Sequence, residues 1–205
     1  AMDGTAEFTR SHLTHRYDVK ANTGAHIEIN AVQPEVFYSD TVRSNTIAKS
    51  GMAYETALTP ELTDPSSPLS YVFNVTNAVI SEAGASSAWE KAAAIQDFLI
   101  NGNGSTEFVL DSNGSNGGSS PDLANHLILS AKRGTCSEYS TAFVTMLRLA
   151  DIPARKVSGY MGGIWNGSGY TVMSDHHSYW GEVRLQTNSG NGNLDLGWIP
   201  FRPCP

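Results

Sequence analysis

Apolar residues recur at helical spacing in a segment near the middle of the chain. The segment begins at Ser87 and continues to Ile100, and Glu90 follows Ser87 by three residues. A serine followed at this distance by glutamate forms a capping box, which satisfies backbone N–H groups at the start of a helix. The pattern therefore predicts a helix from Ser87. A shorter helix is expected from Pro121 to Leu129, after a Gly/Ser/Asn-rich stretch that is typical of a flexible loop.

The same signature precedes a second amphipathic stretch, which ends at Ala150. Thr135 and Glu138 have the spacing of a capping box, and this makes Cys136 the first helical residue. At that position a side chain meets unpaired backbone N–H groups and the positive end of the helix dipole. Both features stabilise a thiolate, which is the reactive form of cysteine. The sequence therefore predicts a nucleophile at Cys136.

The first 80 residues are predicted to be rich in β-structure. Tyr17–Lys20 and Ala25–Asn30 alternate apolar and polar residues around a Gly-bearing turn, which predicts a hairpin. Tyr71–Val75 predicts a further strand, or alternatively the beginning of a helix that reaches Ser81. We therefore divide the chain into a β-rich region, residues 1–80, and a core, residues 81–205.

Three strands are predicted after the Cys136 helix. They cover residues 154–160, roughly 178–185, and 198–201. Helices followed by antiparallel strands, without a repeating βαβ order, are typical of an α+β fold.

The charge balance excludes some classes of partner. The chain carries 13 Lys and Arg against 20 Asp and Glu, a formal charge of −7, and it has no basic run. We therefore expect neither nucleic acid nor an anionic membrane surface as a partner. Metal-binding patterns such as H-E-x-x-H and C-x-x-C are missing from the sequence, so we expect no metal and no cofactor.

The glycosylation signals and the two cysteines bear on where the protein is located and on the state of Cys136. Four N-x-S/T sequons and a low lysine content favour an extracellular or cell-surface location. The sequence is expected to be a piece of a longer secreted or membrane-anchored chain. The two cysteines are Cys136 and Cys204, and a disulfide between them would block the nucleophile. Both states of Cys136 stay open at this point.

Two blocks around Cys136 resemble a known family. Arg133–Phe143 reads RGTCSEYSTAF and Leu147–Tyr160 reads LRLADIPARKVSGY. These blocks strongly resemble the core of the transglutaminase-like superfamily, although Asp151 stands where the family has glycine. Trp89–Ala92 and Gly197–Phe201 resemble the bacterial and archaeal surface-protein branch of that family.

The resemblance implies a fold and a chemistry. The fold is a papain-like α+β core, in which the Cys-bearing helix packs on an antiparallel sheet that carries a histidine and an aspartate. The chemistry is acyl transfer, in which the thiolate attacks a glutamine or related amide of a protein or peptide substrate and forms a thioester. An amine then yields an isopeptide bond, whereas water yields hydrolysis.

The histidine of the family lies in the pattern H-x-W-x-E, from which this chain departs. When Trp180 and Glu182 fill the Trp and Glu positions, Ser178 falls in the His position. A one-residue bulge would restore His177. Strand alternation also places His177 on the face predicted to be buried. We predict His177 as the catalytic histidine, with His176 as the second choice.

The aspartate of the family is replaced by Arg202, which cannot accept the imidazole N–H. Three possibilities follow. Asp195 or Asp175 supplies the carboxylate, and we predict Asp195. Alternatively, a Cys–His dyad operates with a rate loss of roughly 10²–10⁴. The last alternative is a catalytically impaired module that serves binding or assembly in a larger surface protein.

Overall fold

A computed structural model gives the architecture, and its two compact units are Ala1–Ser39 and Asp40–Pro205. The predicted boundary at residue 80, between a β-rich region and a core, stays a prediction. The residues described here are 6–10, 17–21, 38–51, 68–104, 106–111, 124–160, 164–165, 167, 170–188 and 192–205.

The first unit contains an antiparallel strand pair. Strand β1 (Ala6–Arg10) pairs with β2 (Tyr17–Ala21), and Ala6 lies opposite Ala21. The strand predicted at Tyr17–Lys20 is confirmed, with β1 as a partner. Its predicted hairpin partner, Ala25–Asn30, lies outside the described residues.

The second unit combines helices with short and long strands. In chain order the described elements are α1 (Asp40–Arg43), β3 (Thr46–Ala48), α2 (Pro68–Glu82), α3 (Ala88–Asn101), β4 (Val109–Leu110), a π-helix (His126–Ala131), β5 (Arg133–Gly134), α4 (Cys136–Leu149), β6 (Ala154–Tyr160), β7 (Ile164–Trp165), β8 (Tyr170–Thr171), a 3₁₀ turn (Ser174–His176), β9 (His177–Thr187) and β10 (Asp195–Phe201). The mixture of helices and an antiparallel sheet confirms the α+β class.

Helix α2 settles the choice between strand and helix at Tyr71–Val75. Its buried side chains recur every three or four residues, as one face of a helix requires. They are Leu69, Val72, Thr76 and Val79. The helical alternative is therefore confirmed, and the strand prediction is wrong.

Both predicted capping boxes are present. Ser87 caps α3, and the Glu90 carboxylate accepts backbone N–H bonds from Ser87 and Ser86 at 2.9 and 3.0 Å. These hydrogen bonds lower the pKa of Glu90 to about 2. The short helix predicted to begin at Pro121 starts outside the described residues, and its described part includes the π-helix.

Strand β9 is the centre of the sheet. It pairs with β10 along one edge, and with β6 and then β3 along the other, always antiparallel. The register with β6 is continuous from Ala154 opposite Val183 to Tyr160 opposite His177. The strands predicted from the sequence are therefore confirmed, with β9 and β10 somewhat longer than expected.

Helix α4 packs on one face of this sheet. Gly181 lies directly beneath the Phe143 ring, because a Cβ added at Gly181 would collide with that ring. Val183 and Leu185, two and four residues further along β9, are fully buried. Odd-numbered positions of β9 therefore face α4, and even-numbered positions face the other way.

Candidate active site

Cys136 is the first residue of α4, as predicted. The Glu138 carboxylate accepts hydrogen bonds from the Thr135 backbone N–H at 2.7 Å and from the Thr135 hydroxyl at 3.2 Å. Glu138 is buried, so this contact fixes the beginning of the helix from inside the fold. The Cys136 side chain thereby projects from a rigid helix start with first-turn N–H groups around it.

A disulfide joins Cys136 to Cys204, with the sulfurs 2.03 Å apart and the Cα atoms 5.1 Å apart. Strand β10 ends at Phe201, opposite Gly181, and the chain then continues toward the end of the sheet where β9 begins. Cys204 reaches the start of α4 from there. Of the two states left open by the sequence, the structure has the thiol of Cys136 blocked.

Lys156 holds a positive charge beside the first turn of α4. Its ammonium donates to the hydroxyls of Ser137 and Thr141, at 2.7 and 3.0 Å. Burial lowers the pKa of Lys156, and the nearby Glu138 carboxylate acts in the opposite direction. Because Ser137 follows Cys136 directly, this cation lies close to the predicted nucleophile.

His177 lies at the beginning of β9, on the face that carries α4, but it is exposed, so the expectation of a buried position is wrong. Its Nε2 is 3.0 Å from the Ser158 hydroxyl, and Tyr160 and Tyr179 flank its ring with centroids 5.5 and 5.1 Å away. The Lys156 ammonium lies 4.9 Å from the Tyr179 ring centroid. A chain of contacts through Lys156 and Tyr179 thus links His177 to the beginning of α4.

His176, the second choice, has different surroundings. Its Nδ1 accepts the Met173 backbone N–H at 3.2 Å, and its Nε2 lies 4.0 Å from the Asp175 carboxylate. It belongs to the 3₁₀ turn before β9. The structure therefore brings Asp175 to His176, and it gives His177 a serine hydroxyl instead.

The position of Ser178 follows from strand alternation. Ser178 and Trp180 share the face of β9 that points away from α4, and a Cβ at Gly159 of β6 would lie 2.9 Å from the Trp180 ring. His177 reaches the α4 face by alternation alone, since its pairing with β6 is continuous. The bulge proposed to restore His177 does not occur in that pairing.

Asp195 lies at the opposite end of β9 from His177. It pairs with Gln186, nine positions after His177, which corresponds to about 30 Å along the strand. Its carboxylate contacts Arg184 at 2.6 Å and Lys49 at 3.9 Å. The structure therefore does not bring the predicted carboxylate to the predicted histidine.

Arg202 occupies the family's aspartate position as the sequence indicates. Its side chain is exposed, and its backbone N–H donates to the Gln96 side-chain oxygen at 2.8 Å. A carboxylate partner for His177 is therefore supplied neither by this position nor by Asp195.

The Asp195–Arg184 contact predicts a stability effect. Although partial burial acts against it, hydrogen bonds from Arg184 and the Gly197 backbone hold the pKa of Asp195 below the usual range of an aspartate. Asp195→Asn should reduce the free energy of unfolding at pH 7 by about 1–2 kcal/mol, because Arg184 is buried and Asp195 is partly screened by solvent. Urea unfolding measures this difference.

The pH dependence of that effect has a defined sign. A carboxylate whose pKa is lowered by folding contributes stability above its unfolded pKa and loses it as pH falls through the folded pKa. The difference between wild type and Asp195→Asn should therefore shrink below about pH 4. Asp40→Asn is the control, because the Asp40–Arg43 pair is exposed and its loss should cost under about 0.5 kcal/mol. An equal cost for both variants would contradict a stabilising role of the Asp195–Arg184 contact.

Sequence reasoning did not single out four residues around the site. They are Lys156, Ser158, Tyr160 and Tyr179. All four occupy α4-facing positions of β6 and β9, so the sequence feature that could have pointed to them is their spacing at every second residue of a strand. That signal becomes informative only once the pairing register of the two strands is known.

Metal-binding clusters and membrane-spanning helices are both missing from the described residues. Within the described ranges, no cluster of three or more His, Cys, Asp or Glu side chains is arranged to hold a metal ion. None of the described helices combines the length and the apolar character that a membrane span requires.

Comparison with known proteins identifies the family. A family model for the transglutaminase-like superfamily matches residues 74–203, which is more than half of the chain. The chain belongs to this superfamily. The predicted family is thereby confirmed, together with its helix-on-sheet core.

Two relatives show how the chain compares with longer proteins. It is 31% identical over 122 residues to the uncharacterized protein YebA of Bacillus subtilis (strain 168), covering 56% of this chain and 15% of YebA. It also resembles the periplasmic domain of TgpA from Pseudomonas aeruginosa, with 21% identity and a TM-score of 0.50, covering 72% of this chain and 48% of that domain. The chain thus spans a minor part of the first relative and about half of the second.

Membership supports a general chemistry. The superfamily supports cysteine-dependent acyl transfer or proteolysis as the broad type of activity. The likeness to the TgpA domain, at this identity, concerns the fold alone.

Proposed function

We propose that this chain is a thiol-dependent acyltransferase or amide hydrolase that acts on glutamine or related amides of protein or peptide substrates. The carrying observation is the position of Cys136 at the capped start of α4, in the core shared with the superfamily. The active form requires a free Cys136 thiol, so the disulfide with Cys204 must first be reduced.

In the proposed reaction Cys136 attacks the amide carbonyl. The thiol proton passes to His177, and the new C–S bond forms as the thiolate adds to the carbonyl carbon. The imidazolium then protonates the leaving nitrogen, the C–N bond breaks, and ammonia or an amine departs. A lysine amine or water attacks the resulting thioester and releases the thiol. Lys156 supports the thiolate through its charge beside the first turn of α4.

A Cys–His dyad is the form of catalysis that the geometry favours. Asp195 lies along β9 away from His177, and Asp175 contacts His176. The Ser158 hydroxyl, 3.0 Å from His177 Nε2, is the group that orients the imidazole in this proposal. Without a carboxylate the rate is expected to fall roughly 10²–10⁴-fold below that of a complete triad.

The proposed location is extracellular or at the cell surface, in a larger secreted or membrane-anchored chain. Disulfides persist in oxidising compartments, and Cys136–Cys204 is such a bond. The TgpA domain that the chain resembles is periplasmic, which also supports a location outside the cytoplasm. We propose no nucleic-acid partner, because the charge is −7.

The test is a covalent cross-linking assay on reduced protein. A glutamine-containing peptide and a fluorescent primary amine are incubated with the chain, and the product is identified by mass spectrometry. Cys136→Ala should abolish the product. His177→Gln should slow it by about 10²–10⁴-fold. His176→Gln is the matched control and should stay within about twofold, since His176 contacts Met173 and Asp175 instead of the α4 face. Product formation by Cys136→Ala would overturn the proposal.

A second candidate function has its own support. This candidate is a non-catalytic module that serves binding or assembly in a larger surface protein. It is favoured by the blocked Cys136 thiol, the exposed Arg202 and the distance of Asp195 from His177. For this candidate, reduced wild type should form no covalent product. Cys136→Ala/Cys204→Ala should then retain the partner binding of the wild type.

A further inference from the structure

We propose that Cys136–Cys204 is a thiol–disulfide exchange site, which a dithiol reductant opens by attack on the sulfur of Cys204. The inference rests on the proposed function in one respect, since the thiol that is released is the proposed nucleophile. It assigns Cys204 a role of its own, as the residue that receives the incoming thiolate.

The disulfide is accessible to a reductant. Both Cys136 and Cys204 are partly exposed, whereas their neighbours Glu138 and Pro203 are buried. A bond of two buried cysteines would be protected from exchange, because an incoming thiolate must reach one sulfur directly. Here the bond lies at the surface of the second unit, at the end of the sheet where β9 begins.

The two sulfurs have unequal surroundings. Cys136 begins α4, where helix N–H groups and the Lys156 ammonium, bonded to the next side chain, stabilise negative charge. Cys204 follows β10 in a segment without helical structure, between Pro203 and Pro205. The better leaving thiolate departs faster in exchange, so attack should fall on Cys204 and release Cys136.

The exchange balances in two steps. A thiolate of the reductant bonds to Cys204 Sγ as the Cys136–Cys204 bond breaks, and Cys136 leaves as a thiolate. The second thiol of the reductant, after losing its proton, attacks the mixed disulfide and releases Cys204, whose thiolate takes up that proton. Two electrons pass from the dithiol, which becomes a disulfide, to the protein disulfide, which becomes the Cys136 thiolate and the Cys204 thiol, and the proton of the first reductant thiol is released to solvent.

The fold can keep its shape when this bond opens. Strand β10 stays paired with β9 from Asp195 to Phe201, and the Arg202 backbone N–H stays bonded to Gln96. These contacts hold the segment immediately before Cys204. Reduction should therefore uncover Cys136 by local movement of residues 203–205.

The experiment locates the mixed disulfide on oxidised wild-type protein. A brief exposure to reduced glutathione is quenched with acid, and peptide mapping by mass spectrometry identifies the cysteine that carries glutathione. We expect at least about a fivefold excess on Cys204 over Cys136. A preference for Cys136, or exchange that occurs only in denaturant, would overturn the proposal. This readout needs no variant and no catalytic turnover.

Two lysine variants test the cause of the asymmetry. Lys156→Gln removes the charge beside Cys136 and should reduce the preference for Cys204, whereas Lys91→Gln in α3 should leave it unchanged. An equal effect of both variants would contradict the electrostatic cause. If glutathione attaches to Cys204 as expected but dithiothreitol-treated protein forms no acyl product, the exchange site stands and the proposed function fails.

Discussion

Loss of the Cys136–Cys204 disulfide is expected to lower the free energy of unfolding by about 4 kcal/mol. The bond joins residues separated by 68 positions, and a cross-link across a loop of this length removes much conformational entropy from the unfolded chain. The loop contains all of α4, β6, β9 and β10. Urea unfolding of the oxidised and reduced wild type measures the difference.

The double variant Cys136→Ser/Cys204→Ser is the control for this prediction. It should unfold at the urea concentration of reduced wild type, and addition of reductant should not change its midpoint. Oxidised wild type should unfold at a clearly higher concentration. Coincident midpoints for the oxidised wild type and the double variant would contradict a stabilising role for the bond.

The local elements were predictable because their signals are local. The capping boxes at Ser87 and Thr135 each depend on residues three apart, and both are found at the predicted helix starts. Tyr71–Val75 was ambiguous because aromatic and β-branched residues favour strands, yet Leu69 and Val79 continue a helical period on either side. Extending the pattern beyond five residues decides such a case.

The composition of the candidate site depended on long-range pairing, which the sequence does not state. Asp195 was a reasonable candidate by residue type, but its pairing with Gln186 places it at the far end of β9. Lys156 and Ser158 were not considered because their neighbours on α4 and β9 are known only from the register. Strand alternation placed His177 on the same face as Val183 and Leu185, but the expected burial holds only for the latter two, because His177 stands at the exposed beginning of β9.

The disulfide links the two candidate functions. Oxidised, the chain is cross-linked at the end of the sheet, and Cys136 and His177 each have another partner, Cys204 and Ser158. Reduced, it has a free thiol at a helix start but loses the entropic benefit of the cross-link. The cross-linked state is therefore the more stable one, whereas only the reduced state has a Cys136 thiol that can react. The redox state of the compartment determines which of the two states is populated.

Phe143→Ala is expected to lower the free energy of unfolding by about 3–5 kcal/mol. Phe143 is fully buried between α4 and the sheet, against Phe201 at a centroid distance of 5.7 Å and over Gly181. Removal of a buried aromatic ring loses its transfer free energy and leaves a cavity. Because this ring seats the Cys136 helix on β9, chemical denaturation of the variant measures how strongly the helix is held.

A double-mutant cycle with Gly181 identifies the contact responsible. Gly181→Ala should cost about 1–3 kcal/mol in the wild-type background, since its methyl group would overlap the Phe143 ring. In Phe143→Ala the same change should cost almost nothing, because the cavity receives the methyl group.

Gly159→Ala is the control on the opposite face of the sheet. There the added carbon meets only the outer edge of the Trp180 ring, at 2.9 Å, and the cost should stay below about 1 kcal/mol. Additive costs for Gly181→Ala and Phe143→Ala would show that other contacts hold α4 on β9.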